Sequence, residues 1–122
     1  MEEVANLTQE EVLELVKNFP ISPLRNKVII TTNYEEIEED GIKLTEAIFS
    51  PEQYVIAVGS YAKDYLTPGQ KVSLDLEAMT VKVPNSNDAY QPQDKIMLKP
   101  VEVEGRFYGI ITEDKVEYLI NN

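Results

Sequence analysis

The feature that most constrains this chain is a change of apolar period at Pro20. Before it, Val12, Leu15, Val16 and Phe19 recur at helical spacing and make one apolar stripe. Thr8 followed by Glu11 is a capping-box pair, in which hydroxyl and carboxylate satisfy each other's orphan amides. Leu7 and Val12 stand at the two hydrophobic staple positions beside it. This predicts a helix over 7–19, stopped by Pro20 because the residue before a proline is pushed out of helical geometry.

After Ile21-Ser22-Pro23 the period becomes two. Segments 27–32, 54–58, 71–76, 80–83, 96–98, 101–103, 106–111 and 116–120 read as short strands. Thr67-Pro68-Gly69 is a turn, proline presetting φ and glycine accepting a positive one, and Pro84-Asn85-Ser86-Asn87-Asp88 is another. Many short strands with frequent turns argue a mainly β sandwich or barrel preceded by one N-terminal α-helix. Segment 33–53 stands apart. It holds an acidic run from Glu35 to Asp40 broken only by Ile37, then Gly41-Ile42-Lys43-Leu44-Thr45, with no clear period. Such a stretch is either a solvated surface loop, with or without a short hairpin, or a functional one.

Composition removes several classes of function. At 122 residues the chain is expected to be one domain with a core that needs no staples. There is no cysteine and no histidine, so disulfides, zinc–thiolate sites and the commonest general base and soft nucleophile are absent. Ser60, Ser73 and Ser86 lack a nucleophile-elbow context, and the five glycines never cluster as a phosphate cradle does. No enzyme activity, metal or cofactor is expected. A net charge of −11 with scattered cations repels phosphate backbones, so nucleic acid is not an expected partner. The acidic start Met1-Glu2-Glu3 and the lack of a membrane-length apolar run lead to the expectation of a soluble, cytoplasmic protein.

The order of these signals resembles the GroES-like co-chaperonin family. Ile21-Ser22-Pro23-Leu24 with Val28-Ile29-Ile30 is similar to that family's opening strand, Ile-x-Pro-Leu and Val-Ile-Val at the same spacing. Gly41-Ile42-Lys43-Leu44 resembles the Gly-Ile-Val-Leu tip of its mobile loop. Tyr54-Val55-Ile56-Ala57-Val58-Gly59 looks like the Val-Leu-Ala-Val-Gly strand that follows. Pro68-Gly69-Gln70-Lys71-Val72 stands where the family has Val-Gly-Asp-x-Val. Gly109-Ile110-Ile111-Thr112-Glu113-Asp114-Lys115-Val116 is like the closing Ile-x-x-Glu-x-Asp-Ile, its aspartate shifted by one. Four features depart from the pattern. The N-terminal helix has no counterpart, and 60–68 is too short for the roof hairpin of bacterial members, as in phage-encoded ones. Segment 77–105 is longer than the family needs, and Lys43 occupies a usually apolar position.

The resemblance implies a GroES-like small β-barrel over 21–122, with 1–20 as a helical extension and 33–53 as the mobile or binding loop. It implies a homo-oligomer, a heptameric ring in which the opening strand pairs with a neighbour's closing strand. Val28, Ile30, Val116, Tyr118 and Ile120 would then lie at the interface, unless both strands simply belong to one subunit's sheet. It also implies docking on a large chaperonin ring through Gly41, Ile42, Lys43 and Leu44. The helix stripe of Val12, Leu15, Val16 and Phe19 either packs on the barrel or serves as an arm toward a neighbour. The extra helix, the short roof and Lys43 support a second expectation: a phage virion protein, such as a capsid decoration or auxiliary protein, that reuses the barrel. In that case the partners are capsid proteins and the location is the host cytoplasm or the virion.

Overall fold

The computed structural model describes residues 6–39, 42–85 and 88–121, with side chains described at 6–35, 48–81 and 96–121. Helix α1 (Gln9–Lys17) starts where the capping box puts it. Glu11 N donates to Thr8 Oγ1 at 3.3 Å and Thr8 N donates to Glu11 Oε1 at 3.1 Å. These hydrogen bonds, backbone first, hold the exposed Glu11 carboxyl below its ordinary range. The proton therefore prefers the unfolded chain, so the contribution is present above the ordinary glutamate pKa and fades as pH falls through the lowered one. In a carboxyl NMR titration, Glu11 is expected to titrate below an ordinary glutamate and to move back toward it in Thr8→Ala.

The strands are β1 (Lys27–Ile30), β2 (Tyr34–Glu39), β3 (Ile42–Phe49), β4 (Glu52–Val58), β5 (Lys71–Leu74), β6 (Thr80–Asn85), β7 (Asp88–Ile96), β8 (Lys99–Val103), β9 (Arg106–Thr112) and β10 (Val116–Ile120). A single helical turn, α2 (Leu76–Met79), follows β5, and a 3₁₀ turn (Glu113–Lys115) precedes β10. Six strands form one antiparallel sheet in the order β10-β5-β4-β1-β9-β8, while β2–β3 and β6–β7 are separate two-stranded ribbons. Strand β4 joins the two halves of the main sheet. Its first residues pair with β5 and its last with β1, across a register shift opposite Ile29 and Ile30.

The sequence period explains which strand is central. Val28, Ile29 and Ile30 are all fully buried, a continuous apolar run of the kind a strand shows when both faces are covered. On one face Val28 and Ile30 meet Val55, Val72, Leu74 and Met79, capped by Ala62 and Leu66 from the turns of 59–66. On the other, Ile29, Ile56 and Tyr108 meet Leu7 and Val12, with Leu15 and Val16 of α1 and Phe19 just after it packed beside them. The Phe19 ring meets Tyr108 edge-on at 5.1 Å between centroids. Of the two destinations for the helix stripe, then, the structure has the first. Val12, Leu15, Val16 and Phe19 face their own sheet, and the helix is part of the core rather than an arm.

The pairing bears on two expectations. The opening strand was to pair with a neighbour's closing strand, but both edges of β1 are taken by β4 and β9 within the chain. Val28 and Ile30 are fully buried there, so they offer no surface to a neighbour. No closed barrel is found among the described residues, whose pairings leave the sheet open at β8 and β10. The β8 edge is blunted. Val103 and Arg106 flank the two-residue turn Glu104-Gly105, both of whose residues have positive φ (51° and 81°). Counting back along that ladder places Pro100 at a non-hydrogen-bonded pair with β9, so its missing N–H falls on the outer edge. Strand β10 carries no such block, and Tyr118 is exposed beside it.

Candidate functional site: a projecting hairpin and its anchored root

Segment 33–53 folds as the β2–β3 hairpin. Its register sets Tyr34 opposite Phe49, Glu38 opposite Lys43 and Glu39 opposite Ile42. Among the described residues the ribbon pairs with no strand of the main sheet. At its root Tyr34 and Phe49 meet edge-on at 5.8 Å, and Phe49 packs against the core while Ile48 is half exposed.

What holds the root is a set of side-chain amides, the central one buried. Gln53 is 0% exposed. Its Oε1 accepts from Thr31 Oγ1 at 2.7 Å and from Asn33 N at 2.8 Å, and its Nε2 donates to Asn33 O at 2.9 Å and Ser50 O at 2.7 Å. One side chain thus ties both legs of the hairpin, at Asn33 and Ser50, to β1 and β4. The legs also close on each other through Ser50 N and Asn33 O at 3.0 Å. Thr31 Oγ1 in turn accepts from Tyr54 N at 2.9 Å, extending the ladder beyond the end of β1.

A second clasp comes from the segment leading into α1. Asn33 Oδ1 accepts from Leu7 N at 3.0 Å and Asn33 Nδ2 donates to Leu7 O at 3.1 Å. Asn6 repeats the pattern on the next residue, its Nδ2 donating to Tyr34 O at 2.7 Å and its Oδ1 accepting from Tyr34 N at 2.9 Å. Two amide side chains therefore imitate the reciprocal bonds of a strand pair and bind the helix leader to the first leg. On the other leg Ser50 Oγ donates to Glu35 Oε1 at 3.1 Å and accepts from Glu52 N at the same distance. The arrangement has no nucleophile–base pair. It is a rigid mount for a ribbon.

The sequence-derived docking residues divide accordingly. Ile42, Lys43 and Leu44 open β3 beside the hairpin's end, while Gly41 lies outside the described residues. Val116, Tyr118 and Ile120 lie on β10, whose other side pairs with β5. Asn6, Thr31, Asn33 and Gln53 were not singled out from the sequence, although one signal was present. Gln53 stands two residues before the buried Val55 on a strand, which places an amide on the core face. Among the described residues no group of three or more acidic side chains could hold a metal ion, and no helix is long and apolar enough to cross a membrane. No family model and no curated protein matches this sequence.

Proposed function

We propose that this chain is a partner-docking module of the GroES-like co-chaperonin type. In this reading it assembles in several copies and engages a large chaperonin ring through the end of the β2–β3 hairpin. The observation that carries the reading is the mount. The chain commits fully buried Gln53 and two asparagine clasps to holding a ribbon that, among the described residues, forms a sheet of its own. Its strand β3 opens with Ile42 and Leu44, two positions apart. The ordered family resemblance from residue 21 to 120 supports the same conclusion.

A ribbon already paired over β2 and β3 orders fewer residues on binding than a free loop does. Each newly ordered residue costs about 1–2 kcal/mol, so the hairpin lowers the cost of docking. Individually weak hairpins gain from effective concentration once several are carried on one assembly. Copies would meet through β10, whose outer edge is open, since β1 has no edge to give.

The test is a chaperonin ATPase assay beside native mass spectrometry. The intact protein is expected to form a closed oligomer and to modulate the ATPase. Ile42→Ser with Leu44→Ser is expected to abolish that modulation. An intact protein without effect on any chaperonin overturns the reading. Recovery from purified phage particles at capsid-like copy number would assign the chain to a virion instead.

A further inference from the structure

At the opposite end of β1 from the hairpin lies a cleft of about 570 Å³, bounded by residues 21–27, the end of β9 and the start of β8. In a chain with twice as many acidic as basic residues, its lining is reversed in sign. Arg25, Lys27, Lys99 and Lys115, four of the eleven cations, line it, and no carboxylate does. Lys115 has a long contact with Asp114 at 3.7 Å, whereas Arg25, Lys27 and Lys99 have no ion-pair partner among the described residues. Between the cations the wall is apolar. Leu24 and Met97 leave 71% and 58% of their surface exposed at the rim, with Ile21 and Ile110 behind them.

The backbone holds this concentration of charge in place. Lys27 N donates to Leu24 O at 3.0 Å, closing a turn in which Arg25 takes a φ of 56°, and Glu113 N fixes the turn from outside by donating to Asn26 O at 2.9 Å. Lys27 sits directly across the ladder from Thr112 of β9, and Lys99 across from Ile110. Arg25, Lys27 and Lys99 line one cleft without ion-pair partners among the described residues; like charges so placed repel, and the repulsion is relieved when an anion enters. Exposed leucine and methionine beside cations are what an acidic chain with apolar side chains would cover.

We infer that this cleft is a second docking site, for an extended acidic segment of a partner protein that carries apolar side chains between its carboxylates. It is separate from the hairpin and uses none of its residues, so the two sites fail independently. Fluorescence anisotropy of a labelled peptide alternating glutamate with leucine tests it, with the glutamine–leucine peptide and a single-stranded oligonucleotide as comparisons. The expected result is saturable binding of the glutamate peptide that weakens with added salt. Lys27→Glu with Lys99→Glu is expected to weaken it by at least about tenfold, both side chains being exposed and so replaceable without loss of fold. Leu24→Ser is expected to weaken it at any salt concentration, and the Ile42→Ser, Leu44→Ser protein to bind as well as the unaltered one. Absent binding, or binding indifferent to charge reversal or to the glutamine replacement, overturns the inference. Preference for the oligonucleotide overturns it too, as does a concentration-dependent self-association lost in the same charge-reversed variant, which would assign the cleft to a second copy.

Discussion

Replacing Gln53 with leucine is expected to lower folding stability by about 3–5 kcal/mol, a large share of the roughly 5–15 kcal/mol available to a domain of this size. The side chain is fully buried and makes four hydrogen bonds, to Thr31 Oγ1, Asn33 N, Asn33 O and Ser50 O. Leucine fills similar volume, so no water takes the place of the amide, and those groups lose their partner together. A buried polar group left unpaired costs about 1–3 kcal/mol. The sum is discounted because Asn33 is only partly buried and its carbonyl keeps the bond from Ser50 N. Urea denaturation should show a lower midpoint with an unchanged slope.

Gln53→Glu divides the effect by chemistry. It keeps the two acceptor functions and loses the donor, setting a carboxylate against two carbonyls. Burial and that environment favour the protonated acid, so this carboxyl titrates higher in the folded protein than in the unfolded chain. The folded state then binds the extra proton in the window between the two pKa values. The deficit relative to the unaltered protein should shrink as pH falls through the folded value and grow as pH rises. A Gln53→Leu protein within about 1 kcal/mol of the unaltered one would show that the hairpin root is not held as described.

What the sequence revealed and what it concealed follow from where apolar surface is buried. Helix α1 was legible because its cap and stripe are both local, and the turn at Thr67-Pro68-Gly69 because proline and glycine declare their φ values. Gly69 takes +92°, and Gln70 N donates to Thr67 O at 3.0 Å. The ribbon β2–β3 and most of β7 were illegible as strands, whereas β6 was read at 80–83. A ribbon apart from the main sheet need not bury one regular face, so the alternation that marks a strand never arises. In β2 four of six residues are glutamate, and β7 contains Pro92. Single-turn α2 is too short for any period and stands on the Asp75 cap, whose carboxylate accepts from Ala78 N at 3.1 Å. Strand partners are the least local property of all. The apolar run Val28-Ile29-Ile30 states that both faces are covered, but not that both edges are occupied.

The second large effect is expected at Gly59, and its cause is backbone rather than side chain. A Cβ there would lie 2.2 Å from Arg25 O and 2.8 Å from the carbonyl carbons of Leu24 and Arg25. Those atoms belong to the tight turn that begins β1. Gly59 N donates to Lys27 O at 2.9 Å and Tyr61 N to Arg25 O at 2.9 Å, drawing the end of β4 against that turn. An alanine methyl can be accommodated only by moving the two backbones apart, which breaks both bonds and pulls Ala62 away from the core. Overpacking costs about 1–3 kcal/mol and each lost hydrogen bond about 1 kcal/mol, giving about 3–5 kcal/mol for Gly59→Ala.

Two other glycines calibrate this value. At Gly109 the added methyl meets only the Leu98 side chain, at 2.5–2.7 Å, and that side chain can turn aside, so Gly109→Ala should cost less. At Gly105 nothing lies within 4 Å, so Gly105→Ala should cost only the about 1–2 kcal/mol of placing a side chain at a φ of +81°. Thermal or urea unfolding of the three variants is expected to rank Gly59 well below Gly109, with Gly105 the mildest. Because the displaced turn also carries Arg25 and Lys27, whatever Gly59→Ala protein still folds should bind the acidic peptide more weakly, whereas Gly105→Ala should bind it normally. Equal stability losses at Gly59 and Gly105 would mean that β4 and the turn before β1 do not approach each other this closely.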